Sequence, residues 1–404
     1  RDDLVTGVQT CALPISPSSG SNHRPQVNPC SFNLPACVAR PVGKAELMTN
    51  PSLPSGSAFA ARDKEWNRLR KRKVWDEVSV REWFDVARQA RQKNMYKKVT
   101  ATNDAESGPS ESSTPRDLGQ YLGCKPGHYF VHMGRVFGIM VEKNAELKKD
   151  DPNRKFKYRV VFQGNNVCDQ DYEAAIFQDL GSSPASMEAS KNIDCYGCFP
   201  GHDIQQADAE QAYIQAELTG TETWVHIPED AWPESWWKTV NGVKAPKYKK
   251  PVCRLLRALY GHPDAGTMWE KHCHKRLLNN GFVPIPSWPS CYRHGELELM
   301  LTVYVDDFKL AGPKNNLAKG WKLIRGVLDV DEPGGLGLYL GCKHERSQMK
   351  LNGRTLNVMC YNMEEYFTSI VNDYEQLASQ LMSKDVALKT CPTPFLEDDH
   401  KSSN

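Results

Sequence analysis

Residues 299–312, LMLTVYVDDFKLAG, constrain this chain more than any other stretch. Two adjacent aspartates, Asp306 and Asp307, are flanked on both sides by β-forming residues. Successive side chains of a strand point to opposite faces, so both carboxylates can serve one purpose only near a turn. The pattern therefore predicts a β-hairpin with acid at its tip. Carboxylates beside an apolar sheet are costly unless paired or bound to a cation. No Lys or Arg precedes them in the strand, and Lys309 follows on the far side of the pair. A bound Mg²⁺ is one compensation, because hard cations take carboxylate oxygen. An ordinary polar turn is the other reading, because Asp is common in turns.

The chain has 404 residues, room for two or three domains, and its composition is that of a globular protein. No stretch approaches the roughly 20 apolar residues of a membrane span. The net charge of +2 hides an asymmetry. Residues 62–98 hold 13 Lys/Arg against 6 Asp/Glu, whereas residues 205–237 hold 7 Asp/Glu and no Lys/Arg. A basic arm and an acidic centre suit a protein that holds phosphates in one place and a cation in another. A solvated helix and an acidic loop would give the same counts. The 13 cysteines come without a secretory signal, so free thiols in a reducing compartment are expected. Cys195 and Cys198 form a CxxC with no second spaced pair, which favours buried thiols over zinc.

Along the chain, VTGVQTCALPI at residues 5–15 resembles a translated sequencing-library adapter, so residues 1–16 are read as an artefact. Residues 17–59 read as a disordered linker rich in Pro, Ser, Asn and Gly. Residues 60–98 read as helix, with Trp66 and Leu69 on one stripe and Trp83, Val86 and Ala87 on another. Residues 100–116 read as an exposed loop. Residues 129–142 and 157–163 read as strands joined by a turn at 150–154. Residues 203–214 begin as strand and turn helical after Asp208. A short strand at 224–227, a helix at 264–279, strands at 297–305 and 308–311, and a helix at 364–381 follow. Strands and helices alternate irregularly, which predicts an α+β fold rather than a doubly wound sheet.

Asp208 changes the weight of the acidic pair. It also ends a strand-like run, with Ala212-Tyr213 shortly after. Two-metal phosphoryl chemistry needs carboxylates converging from separate strands on ions about 3.5–4 Å apart. Asp208 and the pair Asp306-Asp307 meet that need. Glu210 reads as a surface residue.

These residues fall into a known pattern. The chain resembles the reverse transcriptase of copia-type LTR retrotransposon Pol polyproteins over residues 74–394. The boxes are Lys157-Tyr158-Arg159-Val160-Val161-Phe162-Gln163-Gly164, then Asp171-Tyr172, then Gln206-Ala207-Asp208 leading to Ala212-Tyr213-Ile214. Leu259-Tyr260-Gly261, Trp269, Tyr304-Val305-Asp306-Asp307, Tyr339-Leu340-Gly341 and Thr393-Pro394 follow in order. The resemblance implies a right-hand polymerase with an antiparallel palm sheet. The fingers segment, with the basic helical stretch, spans 60–189, the palm 190–312, a partial thumb or connection 313–396 and a tail 397–404. It implies an RNA-directed DNA polymerase whose Asp208 and Asp306 ligate Mg²⁺ (Mn²⁺ as a substitute), with Asp307 assisting. Tyr213 would be the steric gate beneath the incoming sugar, where core packing is the bland reading. Lys157 and Arg159 would reach the triphosphate, where a solvated strand face is the bland reading. Tyr304 joins the substrate-binding set.

RNA template, DNA primer and dNTPs are the implied partners, without a membrane. Integrase, an RNase H region and capsid are implied for the full element. The implied location is intracellular, in a cytoplasmic virus-like particle or the nucleus. Asp264 departs from the family's Gln, and an N-cap role for the following helix is the simpler reading. The rival function is an inactive, truncated nucleic-acid-binding remnant.

Overall fold

The computed structural model describes residues 39–43, 58–103, 129–143, 154–177 and 182–388. The adapter-like segment, most of the linker, the loop at 100–116 beyond residue 103, most of the turn at 150–154, Thr393-Pro394 and the tail lie outside these residues. Among the described residues no helix is long and apolar enough to cross a membrane.

The first part of the chain runs β1 (Ala39–Pro41), α1 (Ala58–Lys71), β2 (Trp75–Glu82), α2 (Trp83–Asn103), β3 (Val131–Lys143) and β4 (Lys155–Phe162). Next come α3 (Met187–Gly197), β5 (His202–Asp208), α4 (Ala212–Gln215), β6 (Glu222–His226), β7 (Trp237–Val240), β8 (Val243–Pro246) and β9 (Pro251–Leu255). The central run is α5 (Ala265–Leu278), β10 (Phe282–Pro284), β11 (Cys291–His294), β12 (Leu299–Tyr304), β13 (Asp307–Pro313) and α6 (Lys314–Arg325). The chain closes with β14 (Gly334–Gly335), β15 (Leu338–Tyr339), β16 (Cys342–Leu351), β17 (Arg354–Asn362) and α7 (Glu364–Met382). The α+β reading holds.

Six strands make a first sheet in the order β1-β3-β6-β9-β2, with β4 also paired to β3. Its β3–β6 contact is parallel and its other pairs are antiparallel. The expected helix over residues 60–98 is in fact two helices with a strand between them. Lys73 takes a left-handed backbone (φ 51°), which ends α1, and Trp75–Glu82 then pairs with β9. Local propensity favoured helix there, but sheet pairing with a distant strand overrides it. Trp66 and Leu69, three apart on α1, are buried against this sheet with Trp75, Phe162, Val225 and Leu255.

The second sheet is antiparallel throughout, in the order β10-β11-β12-β13-β5-β14. Six of the seven residues of β13 are buried. Phe308 and Leu310 face α5 and α6, together with Trp269, Leu277, Leu317, Trp321 and Ile324. Ala311 faces Ile193 of α3 and Ile204 of β5. A sheet covered on both faces explains why its strands read as continuous apolar runs. Each large side chain buried there contributes about 1.5–3 kcal/mol. Gly320 of α6 lies where a Cβ would come 2.3 Å from Leu299 Cδ1, so a larger residue would require the Leu299 side chain to shift. Strands β15 to β17 form a separate three-stranded sheet, a long ribbon with β16 and β17 at its core.

Candidate active site

The hairpin predicted around the two aspartates is present, and its turn is very tight. Tyr304 pairs with Asp307, leaving only Val305 and Asp306 as the loop. Val305 has φ 56°, an uncommon left-handed conformation for a β-branched residue that carries strain of about 1–3 kcal/mol. Its surroundings hold it there. The Trp269 indole Nε1 donates to the Val305 carbonyl at 2.7 Å, tying the turn to α5.

Asp208 is the last residue of β5 and stands directly opposite Asp307 in the ladder between β5 and β13. The Ala209 amide donates to the Asp306 carbonyl at 2.7 Å, and the Asp331 amide donates to the Asp208 carbonyl at 2.9 Å. Three separate chain segments therefore meet at one acidic edge. Asp331 is a member to which no sequence motif points. Burial, then Glu210 and Asp208, hold its carboxyl above the ordinary range. Glu210, read as a plain surface residue, is exposed but faces Asp331. Buried Gln215 fixes this corner: its amide donates to the Glu210 and Asp329 carbonyls at 2.9 Å and accepts from the Asp329 amide at 2.9 Å.

The chemistry of the donor set, carboxylates only, fits a hard divalent ion. The geometry brings Asp208 and Asp307 side by side and leaves Asp306 at the tip of the turn. Among the described residues no three His, Cys, Asp or Glu side chains lie close enough together to hold an ion. Cys195 and Cys198 are free thiols but, contrary to the expectation of buried ones, Cys195 is exposed and Cys198 half-buried.

Lys309 follows the acidic pair, on the second strand of the hairpin. It lies two residues after Asp307, hence on the same face of β13, and is fully buried (0% exposed side chain). Its ammonium donates to both carboxylate oxygens of Asp194 on α3 at 2.9 and 3.1 Å and to the Ser190 hydroxyl at 2.8 Å. It also stands 3.9 Å from the Tyr339 ring centroid. Two ribbon residues close the cluster. The Tyr361 hydroxyl donates to Asp194 at 3.0 Å, and His344 Nε2 lies 3.5 Å from the same carboxylate. Burial alone would raise the Asp194 carboxyl, but the His344 and Lys309 contacts outweigh it and hold Asp194 below the ordinary value. Burial pulls the Lys309 ammonium down, opposed by Asp194 and Asp307.

On the first sheet, Lys157 and Arg159 share one face of β4 and are both half-buried, not a fully solvated face. Arg159 Cζ lies 5.3 Å from the centroid of Tyr260, whose ring centroid is 5.4 Å from that of Tyr213. Tyr213 sits on the one-turn helix α4, which follows Gln211 in a left-handed conformation (φ 50°). Its ring is partly core, as the bland reading expected, and partly the wall of a ≈20 Å³ cavity shared with Gly266, Trp269, Val303 and Val305. Asp264 occupies the N-cap position of α5 but its side chain makes no cap hydrogen bond, contrary to the reading from sequence. The neighbouring His262 is buried and its imidazole is pushed down to about 3 by loss of water. Its Nδ1 accepts from the Asp264 amide at 3.2 Å.

An acidic strand-end thus faces an acidic hairpin on an antiparallel sheet backed by helices. Residues 139–380 match the family described as reverse transcriptase (RNA-dependent DNA polymerase), and the chain belongs to that family. No curated protein matches the chain. Among solved structures it is similar to a foamy viral protease-reverse transcriptase in complex with double-stranded DNA. That likeness has 14% identity and a TM-score of 0.25, over 48% of this chain and 28% of the other.

Proposed function

We propose that this chain is the reverse transcriptase of a copia-type LTR retrotransposon, adding deoxynucleotides to a primer 3′-hydroxyl on an RNA template. The observation that carries this reading is the register of Asp208 against Asp307 beside the Val305-Asp306 turn. The first sheet then serves as fingers, the second sheet with α6 and β14 as palm, and the ribbon and α7 that follow as the start of a thumb or connection. Asp208, Asp306 and Asp307 would hold Mg²⁺ or Mn²⁺ in a two-metal site. Bound there, the ions supply Lewis acidity at the attacking and leaving oxygens.

The remaining work falls to this chain's own side chains. Arg159 offers a planar two-point contact to phosphate and Lys157 a point charge. The Tyr213 ring blocks the space a 2′-hydroxyl would need. Tyr304, opposite Asp307, would belong to the substrate-binding set. Template RNA, primer and dNTPs are the partners in this reading, with integrase, RNase H and capsid supplied by the rest of the element. The proposed location is a cytoplasmic virus-like particle or the nucleus.

A second reading, a non-catalytic nucleic-acid-binding remnant, is favoured by the absence of a three-carboxylate cluster among the described residues and by Asp264. Primer extension on an RNA template with dNTPs and Mg²⁺, beside an Asp306→Asn control, separates the two. Extension by the unaltered chain alone supports the enzyme. Equal extension by both chains refutes the metal assignment. Primer–template binding without extension in either chain leaves the remnant.

A further inference from the structure

We propose that Gln215 is a positioning residue for Asp208: it clamps residues 329–331 along the end of β5, on the side away from the hairpin, and so steadies the main chain that carries the carboxylate. The inference rests on the reading of Asp208 as a metal ligand.

Strand β5 lies between β13 and β14. On the β13 side Asp208 stands opposite Asp307, and the Ala209 amide donates to the Asp306 carbonyl. On the β14 side the chain leading into β14 runs antiparallel to β5, with Val330 paired to Ala209 and Gly334 to Gln206. Alternate residues of a strand turn their main-chain groups to opposite neighbours. Asp208 and Glu210 accordingly bond to this second segment. The Asp331 amide donates to the Asp208 carbonyl at 2.9 Å, and the Glu210 amide donates to the Asp329 carbonyl at 2.9 Å.

Asp329 and Glu210 are exposed, and exposed main-chain bonds open readily. Gln215 reinforces them from α4, where it is buried. Its side chain grips both main-chain groups of Asp329: Nε2 donates to the carbonyl at 2.9 Å, and Oε1 accepts from the amide at 2.9 Å. Nε2 also donates to the Glu210 carbonyl at 2.9 Å. A primary amide supplies the two donors and the acceptor that this requires. The Arg257 guanidinium donates to the Gln215 carbonyl at 3.1 Å, which ties the clamp to the chain after β9. The hairpin thus holds Asp208 from one side, and the segment stitched down by Gln215 holds it from the other.

The test is single-nucleotide incorporation on a primer–template, read as separate kcat and KM values, beside amide hydrogen exchange of the protein without nucleotide. Gln215→Met keeps the volume and removes all three side-chain bonds. kcat falls roughly ten- to a hundredfold, the cost of a misplaced reacting group, while KM for dNTP holds. Exchange of the Glu210 and Asp331 amides, neither of which bonds to Gln215, speeds up roughly tenfold, the worth of one hydrogen bond. Exchange across Leu299–Tyr304 of β12 is unchanged. Gln215→Glu keeps the acceptor but loses both donors, and it shifts kcat and exchange in the same direction.

If the unaltered chain does not extend a primer, or Asp208→Asn extends as well as it does, the reading of Asp208 fails, whatever the exchange shows. If Asp208→Asn abolishes extension while Gln215→Met leaves kcat unchanged, or leaves the two amides as protected as before, positioning by Gln215 is refuted. Faster exchange over β12 as well marks general loosening and refutes it too. Should Gln215→Met fail to fold, Gln215→Glu decides by the same measures.

Discussion

Replacing Lys309 by Met is the sharpest test of how the acidic sheet is held. Met matches the aliphatic stem in volume, so packing changes little while the ammonium disappears. Lys309 and Asp194 are 0% and 1% exposed, so no water can replace the lost partner. Removing one member of such a pair costs about 3–5 kcal/mol, because the other charge stays buried. At a urea m-value of about 3 kcal/mol/M, the unfolding midpoint falls by roughly 1–1.7 M at pH 7.

The pH dependence fixes the cause. In the unaltered protein the folded Asp194 carboxyl is depressed, so its contribution is present above the unfolded value and is lost as pH falls through the folded value. Without Lys309 only His344 and the Tyr361 hydroxyl are left to compensate for burial, so the variant's Asp194 carboxyl should be raised relative to the unaltered protein. A raised carboxyl destabilises above its folded value and ceases to do so once protonated, so the gap between the two proteins narrows on acidification. Lys309→Met with Asp194→Leu removes both charges and recovers most of the loss. Urea titrations followed by tryptophan fluorescence from pH 8 to pH 4 would measure all of this. A penalty that is independent of pH, or a double variant as unstable as the single one, would refute the reasoning.

Two further outcomes follow from the same geometry. Gly261→Ala combines a forbidden φ with a clash against the Phe162 carbonyl, so it should destabilise by about 3 kcal/mol, read as a fall in denaturation midpoint; a change below about 1 kcal/mol would contradict the close approach. Trp269→Phe leaves the Val305 carbonyl without its indole donor, so stability should drop by about 1–3 kcal/mol and primer extension should weaken with it; unchanged stability would show that α5 does not hold the turn.

The hairpin was legible because everything that defines it is local. Its apolar flanks, its turn and its acids sit within fourteen consecutive residues. Helix α5 was legible for the same reason, from Met268 and Leu277, which recur at helical spacing and are buried, although Leu278, read with them, is exposed. The strand Trp75–Glu82 was not, because its Arg and Glu residues suit a helix and its partner Pro251–Leu255 is remote. The buried pairing of Lys309 was not legible, because its partners Ser190, Asp194 and Tyr339 lie on other elements and leave no trace near residue 309. Asp331 carries no motif at all; the Asp208 carbonyl, accepting its amide, and the contacts of Asp329 and Val330 beside it bring it to the edge.

The pairing of β2 with β9 also dictates an order of events during synthesis. Residues 82 and 251 are partners, so nearly 170 residues must leave the ribosome before that contact can form. Closing so large a loop is entropically unfavourable and slow compared with a hairpin whose loop is two residues. Strands β12 and β13 can therefore zip on their own as soon as they emerge. Asp208 waits for about a hundred residues until Asp307 arrives opposite it. Until then the nascent chain carries an unpaired edge at β5, which is where a chaperone would be needed most.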